Sequence, residues 1–392
     1  MATIKKDKNK AKIEFYSPYN ILKENADYNV VYGKRSNGKT FAFKSIGLFG
    51  YHDKLVNING YLDDGSQFAI VRRMEEDFKK GRGASMWNDI IDNPYKGNIL
   101  EKQTKGAWNN IKFYNSAWYL SKWDNGKEVE VDEEPFAYAF GLSSAEHYKS
   151  NSYPRIKNIL LDEFIASNGY LLNEFMLFTN ILSTIIRQRD NVKIFMCGNS
   201  INKVNPYFTE MGLTKAKNQQ KNTIDLYTYG NSELKVAVEY TGDINATGKS
   251  LKGSDKYFAF DNPKLRMITS GDWELDIYPH LPYKYKPKDV IYKYFIKYEG
   301  DIYQCNIIDI DEQMKPFTYI HRKTTPIKPN EDAIIYSADY SIEPNHKRKI
   351  IYALSKIEQK IIWFFKNDRV FYQDNEVGNM IENYIDWCRQ SK

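Results

Sequence analysis

Apolar residues in the first half of the chain fall into short blocks separated by stretches of helical period. Tyr28–Tyr32, Phe68–Arg72, Asn158–Leu161 and Val192–Met196 are mostly apolar runs, as strands covered on both faces of a parallel sheet require. Ile111–Tyr114 and Phe136–Phe140 fall between them and predict two more strands, and Leu234–Tyr240 a third. From Asn173 to Arg187, Phe175, Phe178, Leu182 and Ile185 recur at helical spacing and predict a core-facing helix. Strands alternating with helices give an α/β domain built on a mainly parallel sheet. Periodicity is then lost: Gly242, Gly248, Gly253, Pro263, Pro279 and Pro282 punctuate residues 241–285, with Pro287 just beyond, and predict a linker. Period-two runs follow at Val290–Tyr298, Ile302–Ile310, Thr318–His321 and Ala333–Ala338, with Glu299-Gly300-Asp301 as a hairpin turn between the first two. Helices are expected around Arg348–Phe364 and Glu376–Cys388. The predicted organisation is an α/β domain over 1–240, a linker over 241–285 and a small α+β domain over 286–392. There are no internal repeats.

A length of 392 residues suits two or three domains. With 42% hydrophobic and 27% charged residues, the composition is globular, not disordered. No apolar run approaches the ~18 residues of a membrane span. The basic N-terminal arm (Lys5, Lys6, Lys8, Lys10, Lys12) has no apolar segment behind it, so no secretory signal is expected. Cys197, Cys305 and Cys388 lack paired spacing, which argues against a disulfide framework or a zinc site and fits a reducing compartment. A net charge of +6 permits a nucleic-acid partner without requiring one. The 31 tyrosines fit AT-rich codon usage better than a stacking function, because no aromatic platform is visible in the pattern.

Gly33-Lys34-Arg35-Ser36-Asn37-Gly38-Lys39-Thr40 fits G-x-x-x-x-G-K-[ST], with an apolar strand before it and a helical stretch, Phe41 to Leu48, after it. That context is what phosphate binding needs. Glycines let backbone N–H groups turn inward, and the helix N-terminus favours negative charge. Lys39 would reach the β- and γ-phosphates, and the Thr40 hydroxyl would hold Mg²⁺. A second run, Gly242 to Ser250, also ends in Gly-Lys-Ser, but it has one residue too many and no helix after it; it reads as a solvated loop. Asn158–Leu161 runs into Asp162-Glu163. Asp162 at the strand tip would bind Mg²⁺ through water, and Glu163 would orient or deprotonate the attacking water. The strand Val192–Cys197 ends at Gly198-Asn199, and Asn199 is the candidate sensor of the γ-phosphate. Arg187 and Arg189 end the preceding helix, where the dipole favours cations. In ring NTPases an arginine here can enter the neighbouring subunit's site, and Arg187 is the first candidate, Arg189 the second. Arg72-Arg73 would contact phosphate or DNA, or simply solvate a strand end. Lys79, Lys80 and Arg82 form a basic loop suited to a DNA backbone, or an ordinary solvated one.

Taken together, these residues resemble the DNA-packaging ATPases (encapsidation proteins) of small phi29-like tailed phages. The resemblance is carried by Phe15-Tyr16-x-Pro18, Val71-Arg72-Arg73, Lys149-Ser150-Asn151-x-Tyr153-Pro154, Asp162-Glu163-Phe164-Ile165, Arg187-x-Arg189, Gly198-Asn199 and Asn205-Pro206-Tyr207-Phe208. It covers most of residues 13–210. It implies the ASCE P-loop fold shared with terminases and FtsK/HerA translocases, and a homopentameric ring at the portal vertex of a prohead in the host cytoplasm. The ring would drive double-stranded DNA inward using ATP and Mg²⁺. Arg187 would be the trans-acting arginine finger. The C-terminal domain would be ribonuclease H-like without nuclease activity, facing the portal protein or a packaging RNA. The chain departs from the family pattern in its longer, basic N-terminus and in extra residues between Asp124 and Asp132. It also departs in its C-terminal acids Asp301, Asp309, Asp311, Asp332 and Asp339, which keep open a terminase-type nuclease using two metals. A connector that binds nucleotide without turnover is the third reading, against which the Asp162-Glu163 pair argues.

Overall fold

The computed structural model describes residues 15–35, 37–79, 81–166, 169–199, 205–230, 232–242, 278–281, 284–310, 315–328, 331–352 and 355–390. These fall into two compact units. The first holds the described residues within 15–165, 173–199 and 212–242; the second holds those within 166–172, 205–211 and 278–390. Of the expected linker, only 241–242, 278–281 and 284–285 are described.

The main sheet of the first unit is built from β1 (Tyr28–Gly33), β2 (Gln67–Arg72), β3 (Asn110–Tyr114), β4 (Ala117–Asp124), β5 (Lys127–Val131), β6 (Ala137–Gly141), β7 (Ile156–Asp162), β8 (Lys193–Asn199), β9 (Thr223–Thr228) and β10 (Lys235–Tyr240). They form one ten-stranded sheet in the order β9-β10-β1-β8-β7-β2-β6-β4-β3, with β5 paired to β4. From β10 to β6 every pairing is parallel; β9, β4, β3 and β5 join antiparallel at the flanks. The mainly parallel sheet read from the apolar runs is thus present. Asn158 to Asp162 and Ile194 to Gly198 are buried throughout, as interior strands must be. Helix α1 (Lys39–Phe49) follows β1, and Phe43 stacks on Phe195 at 4.7 Å between centroids. Around Phe68, Trp87, Trp118 and Phe136 the sheet builds an aromatic core. The predicted long helix is α2 (Glu174–Ile186), and both flanking residues, Asn173 and Arg187, are left-handed.

The residues after Asp124, expected to be extra, form a hairpin. Asp124 pairs with Lys127 across Asn125-Gly126, whose φ angles of 47° and 77° make the tight turn that such dipeptides favour.

The strands of the second unit are β11 (Val290–Tyr298), β12 (Asp301–Ile308), β13 (Phe317–Arg322), β14 (Ile335–Ser337), β15 (His346–Lys347) and β16 (Val370–Tyr372). Their order is β15-β14-β11-β12-β13-β16. The first three strands in sequence pair antiparallel, and β14 lies parallel to β11. With α3 (Lys356–Lys366) and α4 (Asn375–Gln390), this is the expected small α+β unit; its core includes Tyr294, Tyr303, Ile320, Tyr336, Ile361, Ile381 and Tyr384. Several boundaries differ from expectation, the run Ala333–Ala338 being strand only over Ile335–Ser337. The run Ile302–Ile310 stops being strand at Ile308. The helix expected from Arg348 starts at Lys356, because Ser355 and Glu358 form a reciprocal capping box. Arg348 instead donates to Ala338 O and lies over the Tyr340 ring at 3.9 Å. All three cysteines are free and buried. Among the described residues no helix is long and apolar enough to cross a membrane.

Candidate functional site

The parallel strands β1, β2, β7 and β8 end side by side, and their carboxyl ends carry the predicted chemistry. Such crevices are where open α/β sheets bind ligands. β1 ends at Gly33, paired with Asn199 at the end of β8. A Cβ at Gly33 would lie 1.8 Å from Thr241 Oγ1, so only glycine fits there. Gly38 is left-handed at φ 90° and starts α1. Between them the loop is braced by Asn37, whose Nδ2 donates to Thr241 Oγ1 at 3.1 Å. Ser36 lies outside the described residues; Lys34 and Arg35 precede it, Arg35 exposed.

Lys39 is buried. Its ammonium donates to Gly33 O (3.3 Å), Lys34 O (2.7 Å) and Asn37 Oδ1 (3.0 Å), all within its own loop. Burial lowers its pKa to about 8. Thr40 Oγ1 donates to Asp162 Oδ1 at 2.8 Å. The other oxygen of Asp162 accepts from Arg72 at 2.5 Å, and Glu163 Oε1 lies 3.8 Å from the same guanidinium. Arg73 grips Glu174 with two bonds, 2.7 and 2.9 Å, and donates to the carbonyls of Glu163 and Phe164. It therefore holds the turn on which Glu163, left-handed at φ 58°, presents an exposed carboxylate. Arg72 and Arg73 thus face the acidic pair and its turn; neither merely solvates a strand end.

A hydroxyl and a carboxylate oxygen brought together at a phosphate loop are the hard donors that Mg²⁺ takes, the remaining positions falling to phosphates and water. Thr40 and Asp162 fit such an ion.

The remaining candidates make other contacts. Arg187 is exposed and donates to Asn151 O at 2.6 Å. Arg189 is spent on main-chain carbonyls: those of Ile185, Ile186, Tyr153, Pro154 and Ile156. Lys79 meets Glu76 at 3.4 Å, and Arg82 donates to Glu76 O; both are exposed, and Lys80 lies outside the described residues. In the second unit Asp301 is 3.4 Å from Arg322, and Asp309 falls beyond the strand end. Among the described residues no three His, Cys, Asp or Glu side chains gather to hold a metal. Asp311 lies outside them.

Sequence reasoning missed one wall of the site. A cavity of about 380 Å³ runs from Lys39, Thr40 and Asn199 to the rings of Phe15 and Tyr95. Tyr95 sits in Asn93-Pro94-Tyr95-Lys96-Gly97, a turn signature that could have marked the segment but not its position beside the loop.

Residues 125–262 match the model of a family described as Podovirus DNA encapsidation protein (Gp16). That range includes Asp162, Glu163, Arg187 and Asn199 and excludes the loop at Lys39. Over 214 residues the chain is 27% identical to the DNA packaging protein of Bacillus phage phi29, covering 54% of each. To that of Bacillus phage B103 it is 28% identical over 197 residues, covering 50% of each. The chain therefore spans about half the length of the curated relatives it matches. Its fold is similar to the phi28 gp11 DNA packaging motor (TM-score 0.53, 17% identity, 97% of this chain and 100% of that one). It is also similar to the chain in the bacteriophage phi29 viral genome packaging motor assembly (TM-score 0.52, 19% identity, 96% and 99%). The family resembled by the residue pattern is the one these comparisons find.

Proposed function

We propose that this chain is an ATP-hydrolysing subunit of a phage DNA-packaging motor, moving double-stranded DNA into a preformed prohead. The observation that carries the reading is the Thr40–Asp162 contact of 2.8 Å beside the buried Lys39, whose ammonium is hydrogen-bonded to oxygens of its own loop. Lys39 would give up its loop acceptors for the β- and γ-phosphates. A Mg²⁺ ion held by Thr40 and Asp162 would supply charge neutralisation between phosphate oxygens. Glu163, exposed on a braced turn, would orient the attacking water and accept its proton, and Asn199 would report on the γ-phosphate from the end of β8. Arg187 is the arginine proposed to act in trans: its side chain is exposed and donates to a main-chain carbonyl, that of Asn151, not to a carboxylate. Arg189, bonded to five main-chain carbonyls, suits a structural role better.

The proposal extends to a ring, most simply a pentamer, seated on the portal protein at the prohead in the host cytoplasm, with a packaging RNA as a further partner. It assigns residues 1–240 to the ATPase domain, 241–285 to a linker and 286–392 to a nuclease-like domain without activity. DNA contact would be mainly with phosphates, hence tolerant of sequence and weakened by salt, with Arg72, Arg73, Lys79, Lys80 and Arg82 the basic candidates. The test is ATP hydrolysis and DNA uptake by the full chain with and without purified proheads. Hydrolysis stimulated by DNA and proheads, with protected DNA accumulating in the shells, is the expected result. A chain docked on proheads that consumes no ATP and fills no shell ends the proposal.

A further inference from the structure

The cavity beside the phosphate loop extends past anything a triphosphate requires. Its far side is the pair Phe15 and Tyr95, whose ring centroids are 5.7 Å apart with planes inclined at 56°. They make an open corner, not a closed sandwich. The rings are 45% and 61% exposed, so core packing does not account for where they stand.

Both rings are nonetheless fastened to the loop. The Tyr16 N–H donates to Asn37 O at 2.8 Å, and the Tyr16 hydroxyl to Glu239 at 2.6 Å. Phe15 lies against Gly38, where an added Cβ would come 3.3 Å from Phe15 Cβ. On the other side, Asn93 and Gly97 exchange backbone hydrogen bonds of 2.7 and 3.2 Å, closing the turn that carries Tyr95. Within it Asn93 Oδ1 accepts from the Tyr95 and Lys96 N–H groups, both at 3.0 Å. Asn93 Nδ2 donates to Asp89 O at 2.9 Å, and that neighbouring stretch is tied to α1 by Lys44, a buried lysine that donates to Met86 O at 2.5 Å and Asp89 at 2.7 Å and lies over the Trp87 ring. Because α1 begins at the phosphate loop, Phe15 and Tyr95 are both positioned relative to Lys39 and Thr40.

The geometry points to a nucleobase subsite in the corner of Phe15 and Tyr95: the base of a nucleoside triphosphate stacks on one ring and meets the edge of the other. The inference rests on the nucleotide reading of the loop. A cavity of this size suits a nucleotide-sized ligand, and stacking on aromatic faces is favourable for every base.

The experiment compares ATP with inorganic tripolyphosphate, both with Mg²⁺, by calorimetry on the full chain and on Phe15→Ala, Tyr95→Ala, Tyr95→Phe and Lys39→Ala. Both alanine variants at the corner are expected to weaken ATP about tenfold and leave tripolyphosphate unchanged, with Tyr95→Phe restoring ATP. Tyr95→Ala that leaves ATP affinity unchanged, or weakens both probes alike, overturns the subsite while the phosphate loop stands. Lys39→Ala that binds both probes as the wild type does overturns the phosphate-loop reading, and the subsite with it.

Discussion

The two ends of the parallel sheet use lysine to opposite effect. At the amino end, cations and acids meet each other. Lys157 pairs with Asp64 at 2.7 Å, and Lys193 lies 4.0 Å from Asp27 and donates to Ala26 O. Asp64 also accepts from Asn59 and from the Ser66 N–H. Burial pushes its pKa up, but these bonds hold it well below the usual carboxylate range. At the carboxyl end, Lys39 is deeper and its ammonium donates to oxygens of its own loop, with Asp162 acting on it only through space. A buried cation so placed costs stability, and a polyanionic ligand would recover that cost. A lysine already paired with a carboxylate supports the fold; a buried lysine held on loop oxygens marks a site.

The largest effects are therefore expected at the carboxyl end. Lys39→Ala should lose nucleotide binding and lower turnover at least about a thousandfold. Glu163→Gln should keep ATP binding and lose turnover by roughly 10²- to 10⁴-fold. Phosphate release and equilibrium binding, measured on both variants, separate the two roles. Wild-type turnover no faster than that of Glu163→Gln would favour a connector that only binds.

The two neighbouring arginines sharpen the same contrast. Arg187→Ala should lower ring turnover by about 10³-fold with little change in melting temperature. Arg189→Ala should destabilise the chain by about 2–4 kcal/mol, since it abandons the carbonyls of Tyr153, Pro154, Ile156, Ile185 and Ile186. Mixed rings of Arg187→Ala and Lys39→Ala subunits should regain hydrolysis at interfaces where an intact loop meets an intact arginine. Confirmed mixed rings without recovery would remove Arg187 from the trans role.

Most of this division was legible in the chain, for identifiable reasons. Buried parallel strands must be apolar through and through, so β1, β2, β7 and β8 announced themselves. The loop and the acidic pair sit at strand ends that covalent sequence alone defines. What stayed hidden depends on register and on distant partners. Nothing local says that Arg72 would sit on Asp162, 90 residues away, or that Arg73 would clamp Glu174. Tyr95 reads as a turn tyrosine until the turn is placed beside Gly38. The helix misjudged at Arg348 had the right apolar spacing, but its start was set by Ser355 and Glu358, a short capping signal that a long periodic run can mask.

At the amino end, Asp64→Ala tests the converse. It removes the partner of Lys157 and the acceptor of Asn59 and Ser66, and should destabilise by about 1–3 kcal/mol while ATP turnover at permissive temperature stays unchanged. Turnover falling as far as in the Lys39 variant would erase the distinction between the two ends.

The smallest effect expected is a pH dependence at the amino-end cluster of His52. Its Nε2 lies 2.8 Å from Asp63 and its Nδ1 2.6 Å from Asn57. With an acceptor at each ring nitrogen, the imidazolium is the favoured form, and the bond to Asp63, then that to Asn57, raises the pKa above the ordinary 6.5. A group whose folded pKa is raised contributes stability that is complete below the unfolded value and disappears as pH climbs through the folded one. His52→Gln should therefore lower the melting temperature slightly at about pH 5.5 and leave it unchanged at about pH 9. Because the ring is exposed, water screens the pair and the difference stays small. A shift of equal size at both pH values would mean that His52 acts by packing alone, and that even the paired end of the sheet is held by contact rather than charge.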